Sequence, residues 1–315
     1  MKGQYISLAS GIALLAIFSA CREPTINRSE EGVLFLGSEE SSDVVERVIS
    51  PGQRTVVLNG FAGSISLVGS DSDVARFTIT RTARGDSPAE AQSQLRNLDI
   101  EEVGDELTYR YNFTASQNAL SRFDVTGTVP ASTPITIQWV AGNITIDGIS
   151  GEVEVQNQHG DVGYSGPSST VRLRTRNGSA AATLTSTAKT FDVALLTANG
   201  DVSAHVSPLA SGNIEATTSA GAVSTDLIDF VSESYSPADA GARFRGRLGQ
   251  GAGQISLATQ HGSVRISAYV APAVTPAEAV EAAMPEEQGA QVLPDSLIPA
   301  TEPVPSSSTP ADSLN

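Results

Sequence analysis

Val171-Arg-Leu-Arg-Thr-Arg-Asn-Gly178 is answered one step along the chain by Val193-Ala-Leu-Leu-Thr-Ala-Asn-Gly200. Each is an alternating run that ends in a polar turn closed by glycine. The turn returns as Asn157-Gln-His-Gly160, Thr218-Ser-Ala-Gly221 and Thr259-Gln-His-Gly262, with Ala141-Gly142 as an earlier copy. The turn glycines therefore stand at Gly142, Gly160, Gly178, Gly200, Gly221 and Gly262, in steps of 18, 18, 22, 21 and 41. Fixed periods of this size mark stacked repeats. The last step is about two ordinary ones, so the stack is interrupted there.

Val171, Leu173 and Thr175 share one face of their run. Val193, Leu195 and Thr197 take the same places one coil on, then Ile214, Ala216 and Thr218, then Ile255, Leu257 and Thr259. After the glycine the alternation resumes, as in Val162/Tyr164 and Val264/Ile266. Period-two alternation means strands with one buried face. The inward residues are mostly small or β-branched, which suits a narrow bore. Glycine closes the turn because a tight corner needs φ > 0, which it adopts without a Cβ clash. Asn177 and Asn199 before it also tolerate that region, and His159 and His261 occupy the same slot.

The expected fold is all-β: a single-chain β-solenoid, parallel β-helix-like, preceded by an N-terminal β region with one short helix. In a solenoid each strand bonds its counterpart in the next coil, and the coils are expected in chain order. Asn-Gly between alternating runs is also a hairpin signal, so an antiparallel β-sandwich is the alternative. The 18-residue step makes Glu154 a neighbour of Arg172, which favours the solenoid.

The run Gly142-Asn-Ile-Thr-Ile-Asp-Gly148, then Gly151-Glu-Val-Glu-Val, then His159-Gly-Asp-Val162, resembles the bacterial "putative adhesin" domain family of the cell envelope. The similarity covers roughly residues 51–268. It implies a β-solenoid and an adhesion-related role, and it supplies no catalytic residues to carry over.

The composition agrees with a turn-rich β chain: 315 residues, 40% hydrophobic, 5% aromatic, 28 glycines. The net charge of −16 repels nucleic acid and anionic lipid surfaces. No nucleic-acid partner is expected.

Residues 1–20 read as an export signal: Lys2, then a short apolar run from Ile6 to Phe18. Phe18-Ser-Ala-Cys21 resembles a lipoprotein lipobox, with Phe18 where Leu is usual. The lone cysteine, Cys21, would then carry the lipid and tie the chain to a membrane. Each buried CH₂ of an acyl chain contributes about 0.8 kcal/mol. Arg22 follows, so nothing argues for inner-membrane retention, and an outer-membrane location is expected.

Residues 21–50 read as an acidic tether with one docking strand. Residues 51–130 form the N-terminal β region. Within it Asp86-Ser-Pro-Ala-Glu90 starts a helix: Ser87 caps, Pro88 suits the first turn, and the helix runs to about Leu95–Asn97. Residues 131–270 hold the repeats, interrupted by an insertion at 228–253. Residues 271–315 lack Lys and Arg and are rich in Pro, Ala, Ser and Glu, the composition of a disordered tail.

Candidate chemistry is sparse. Asp161 and Asp201 follow equivalent glycines two coils apart, roughly 10 Å at the usual strand spacing of about 4.8 Å. That lies near the upper limit for an inverting glycosidase pair, so a polysaccharide-cleaving β-helix enzyme is one reading. A solvated Gly-Asp corner is the plainer one. His159, His205 and His261 are too scattered for a metal site, and no cofactor motif is present. Two basic clusters stand out in an acidic chain: Arg172, Arg174 and Arg176, and Arg243, Arg245 and Arg247. They suit an anionic envelope glycan or an acidic envelope protein. The expected function is a non-enzymatic, envelope-anchored lipoprotein that presents a strand face for adhesion or scaffolding. A periplasmic sensor or assembly partner acting through the insertion is a further alternative.

Overall fold

The computed structural model describes residues 26–28, 34–115, 121–186, 190–207, 209–227, 230–238 and 241–269. The expected export signal at residues 1–20, Cys21 and residues 271–315 lie outside them. Two short strands, β1 (Ile26–Arg28) and β2 (Leu34–Leu36), pair only with each other. The N-terminal part continues with β3 (Glu39–Ile49), β4 (Thr55–Asn59), β5 (Ile65–Ser70) and β6 (Ala75–Gly85). Helix α1 (Pro88–Arg96) follows, then β7 (Leu98–Gly104), β8 (Thr108–Ala115) and β9 (Ser121–Pro130).

The repeats then supply strands in twos, one on each side of a corner glycine. They are β10 (Ile135–Gln138) and β11 (Ile144–Asp147), β12 (Val153–Gln156) and β13 (Val162–Gly166), β14 (Thr170–Arg174) and β15 (Ala180–Leu184). Next come β16 (Asp192–Asn199) and β17 (Val202–Val206), then β18 (Gly212–Ala220) and β19 (Val223–Thr225). Two long strands follow, β20 (Phe230–Ala238) and β21 (Gly241–Leu248). The last two are β22 (Gly253–His261) and β23 (Val264–Ala268).

All members of a corner pair divide between two large sheets. One runs β20-β21-β18-β22-β16-β14-β12-β10-β4-β8-β7, the other β19-β23-β17-β15-β13-β11-β5-β9-β6-β3. One continuous apolar core, from Ile49 to Ile266, takes side chains from both. The all-β class holds. Both sheets are mixed, and two open sheets over a shared core fit a sandwich at least as well as a solenoid. Between coils the pairing is parallel and the apolar columns align: Val153, Val171 and Val193 are successive partners, as are Val155, Leu173 and Leu195. An antiparallel sandwich does not describe that central part. Glu154 pairs in register with Arg172, as the 18-residue step requires.

Buried side chains in the middle of the smaller sheet include the small Ala180, Ala182 and Ala204. Phe77, Tyr111, Phe113, Phe123 and Trp139 fill the N-terminal end, with ring centroids 5.1–6.4 Å apart where they touch. Burying a residue of Val or Phe size contributes about 1.5–3 kcal/mol. The helix forms as its caps dictate: Ser87 Oγ accepts the Glu90 N–H at 3.2 Å, and Asn97 is the C-cap. It packs on β6 and β3. The 21–50 stretch contains β3, an 11-residue edge strand paired antiparallel with β6.

One expectation fails: the coils are not stacked in chain order. β22 is bonded parallel to β16 on one side and to β18 on the other, and β23 lies between β17 and β19. The last coil therefore sits inside the stack, between the coils of Gly200 and Gly221. The 41-residue step has its cause here. The chain leaves β19, builds the antiparallel hairpin β20–β21 along the outer edge of β18, and returns to fill the gap it left. The N-terminal end does the same. The coil of β4 and β5 lies between those of β8–β9 and β10–β11.

Removing residues 249–315 should therefore abolish cooperative unfolding, because β16 and β18 lose the strand that joins them. Leu257→Ala should cost about 2–5 kcal/mol. Urea denaturation checks both; a truncated chain that unfolds as sharply as the full one would contradict the insertion.

Tyr164 offers a pH test. Its hydroxyl donates to the Ile149 carbonyl at 2.6 Å and accepts from the Ser168 N–H at 2.7 Å. Burial pushes its pKa up from 10.0 to about 12, although the Ser168 bond acts the other way. Between those values the unfolded chain loses a proton that the folded one keeps, so stability present below pH 10 falls as pH rises. Burial also raises Tyr111, with the same sign. Tyr164→Phe should flatten the alkaline fall seen by circular dichroism.

Candidate functional site

Reading the column four residues before each corner glycine gives the outer face of the larger sheet. It runs Asn59, Gln138, Gln156, Arg174, Leu196, Ala258 and Thr217, and parallel register makes these residues lateral neighbours. Asn112 on β8 and Arg243 on β21 extend the row at its two ends. Two strand positions away, Arg172, Ala194, Ser256, Glu215 and Arg245 make a second row. Both arginine clusters thus lie on one face. Four strand steps of about 4.8 Å separate them, roughly 19 Å. Ala194, Leu196, Ser256 and Ala258 form a low floor between the two ridges.

An open groove of about 480 Å³ is sunk in the amide end of this face. Asn59, Gln138, Gln156, Gln158 and Arg174 border it, and the buried Trp139 is among its lining residues. A smaller hollow of about 140 Å³ adjoins it, sharing Gln156 and Arg174 and reaching Glu154, Arg172 and Leu196. Some bordering groups are already engaged. Asn59 Nδ2 donates to Asn112 Oδ1 at 3.0 Å, and Gln156 Nε2 to Glu154 Oε1 at 3.0 Å. Arg172 bridges Glu152 at 2.7 Å and Asp192 at 2.5 Å, not its register neighbour Glu154. Asp192 holds the Arg172 guanidinium above its ordinary pKa. Among the described residues, the side chains of Gln138, Gln158 and Arg174 have no protein partner.

The second cluster is partly neutralised. Arg243 and Arg245 share the carboxylate of Glu215, at 2.5 and 3.1 Å. The Arg243 hydrogen bond holds that carboxyl below its usual range. Arg247 and Arg176 are exposed.

Asp161 and Asp201 sit at corners, where Asp161 Oδ1 accepts the Ser179 N–H at 2.7 Å and Asp201 Oδ1 the Ser263 N–H at 2.8 Å. Each therefore ties its coil to the next. His159 Nδ1 meets Asn177 Nδ2 at 3.1 Å and Asn177 Oδ1 accepts from Asn199 at 2.8 Å, a polar ladder along the same corner. His205 pairs with Ser267 on the other sheet. Among the described residues no group of three or more ligating side chains is placed to hold a metal ion.

Sequence reading found Arg172 and Arg174 but missed Asn59, Gln138, Gln156 and Gln158. The signal was present in the fixed offset from the corner glycines, once Gly63 is counted as a corner.

No family model matches the chain, and no curated protein does. Solved structures do. A "putative cell adhesion protein" from Clostridium sporogenes is 9% identical over 73% of this chain and 100% of its own, with a TM-score of 0.45. A "putative adhesin" from Bacteroides fragilis is 12% identical over 71% of this chain and 97% of its own, at 0.31. A "putative lipid binding protein" from Parabacteroides distasonis is 9% identical over 72% and 97%, at 0.19. These likenesses fall below 0.5 and assign this chain no function.

Trp139, the one tryptophan, reports on the groove. Its indole N–H donates to the Gly63 carbonyl at 2.7 Å, and a Cβ on Gly60 would fall 2.2 Å from its ring. Gly60→Ala should displace the indole and red-shift its fluorescence emission; an unchanged spectrum would mean the ring does not rest on Gly60.

Proposed function

We propose that this protein is a non-enzymatic binding module of a bacterial cell envelope, anchored to the outer membrane through acylated Cys21. It presents a β-solenoid face, the outer side of the larger sheet, for adhesion or scaffolding, and its ligand there is an extended glycan chain. The supporting observation is the groove beside Gln138, Gln158 and Arg174, whose side-chain donors and acceptors have no protein partner. Amides both donate and accept, which suits rows of sugar hydroxyls. The open face matches a polymer laid across the coils better than a small molecule enclosed in a pocket. Asp161 and Asp201 support the same reading, since each carboxylate holds a backbone N–H of the neighbouring coil.

Affinity electrophoresis through gels containing envelope polysaccharide tests this. The wild-type chain should be retarded, and Gln138→Ala with Gln158→Ala should lose most of the retardation at unchanged thermal stability. Asp161→Asn should bind as the wild type does. Release of reducing sugars by the wild type, lost in Asp161→Asn, would replace this reading with the glycosidase one.

A further inference from the structure

On the binding face just described, we propose that Arg174 is a carboxylate anchor, so that the bound glycan is a mainly neutral chain bearing scattered sugar acids. This rests on the glycan-binding reading and names the ligand's chemistry. Two arginines border the hollows of this face, Arg172 and Arg174. Arg172 lies between Glu152 and Asp192, and Arg243 and Arg245 converge on Glu215. Of the two that border the hollows only Arg174 has no carboxylate, and it borders both; Arg110, Arg176 and Arg247 are exposed on the same face but line neither hollow. The one nearby acid, Glu154, is held by Gln156 on its own strand.

A guanidinium fork matches a carboxylate with two parallel N–H···O bonds. Gln138 and Gln158 border the same hollow and would take neighbouring hydroxyls. Within the lining of the hollows one uncompensated cation balances one carboxylate. It does not balance the nearly two charges of a phosphate monoester at neutral pH. The net charge of −16 disfavours a densely charged polymer. At physiological salt, fields beyond about 8 Å are screened, so a lone carboxylate at Arg174 feels mainly its own site.

The test uses three homogalacturonan probes: fully methyl-esterified, lightly de-esterified, and esterified but lightly phosphorylated. Each is titrated into the full chain and followed by Trp139 fluorescence and calorimetry. The wild type should bind the de-esterified probe about tenfold tighter than the neutral one, with little preference for the phosphorylated probe. Arg174→Gln should erase that preference while leaving neutral-probe affinity within about twofold. Arg174→Lys should recover only part of it, since an ammonium lacks the fork. Arg265→Gln, on the smaller sheet where Asp226 pairs with it, should keep the full preference. Equal binding of acidic and neutral probes by the wild type, or a preference that survives Arg174→Gln, would overturn the anchor and leave the glycan-binding face standing. A stronger preference for phosphate would also overturn it. Failure of the wild type to bind any probe would remove both.

Discussion

Adjacent coils are joined at their corners by one repeated bond. At every corner glycine from Gly142 onward, the residue three places before it sends a side-chain donor to the carbonyl of the corner glycine next door. Trp139 reaches Gly63, Asn157 reaches Gly142, Thr175 reaches Gly160, and Thr197 reaches Gly178, at 2.7–3.0 Å. Thr259 then reaches Gly200, and Thr218 reaches Gly262, so the bonds follow the spatial order of the coils rather than the order of the chain. The acceptors are corner carbonyls turned inward, where an unmet acceptor would cost about 1–3 kcal/mol. The corner itself admits only glycine. At Gly178, for example, φ is 145° and a Cβ would lie 2.2 Å from the Gly160 carbonyl oxygen.

That geometry explains why the outer face is so regular. Once the corners are stacked, every residue at a given offset falls into a row at strand spacing. Inside the stack the rows hold Val, Leu, Ile and Ala. Outside, selection is free to place amides on one stretch, arginines on another and small residues between. The groove is a consequence of short side chains next to long ones on an otherwise flat sheet. Gly60 contributes by having no Cβ where the Trp139 ring lies.

At both ends of the stack the larger sheet is covered by chain that has doubled back. At the N-terminal end β6 to β9, with α1, lie beyond a coil that precedes them in sequence. At the other end β20 and β21 cover β18 while the last coil passes inside. The larger sheet thus ends on antiparallel strands at both sides. Edge strands invite pairing with other chains. β3, the long free edge of the smaller sheet, carries Glu40, Asp43, Glu46 and Arg47, charges that oppose such pairing.

The sequence by itself determined the local structure. Alternation showed which side of each strand is buried, glycine showed where the chain must take positive φ, and Ser87-Pro88 showed where the helix starts. These depend on near neighbours and are written into short stretches. Coil order was not legible. Every coil offers much the same apolar column and the same corner donor, so nothing local tells β16 whether to accept β18 or β22. The amide groove was hidden for a related reason: Asn59 and Gln138 are 79 positions apart and become neighbours only when the coil of β4 docks on that of β10. The charges of Arg172 and Arg174 were visible in the sequence. That one is compensated and the other is not was decided by which strands the tertiary structure brought beside them.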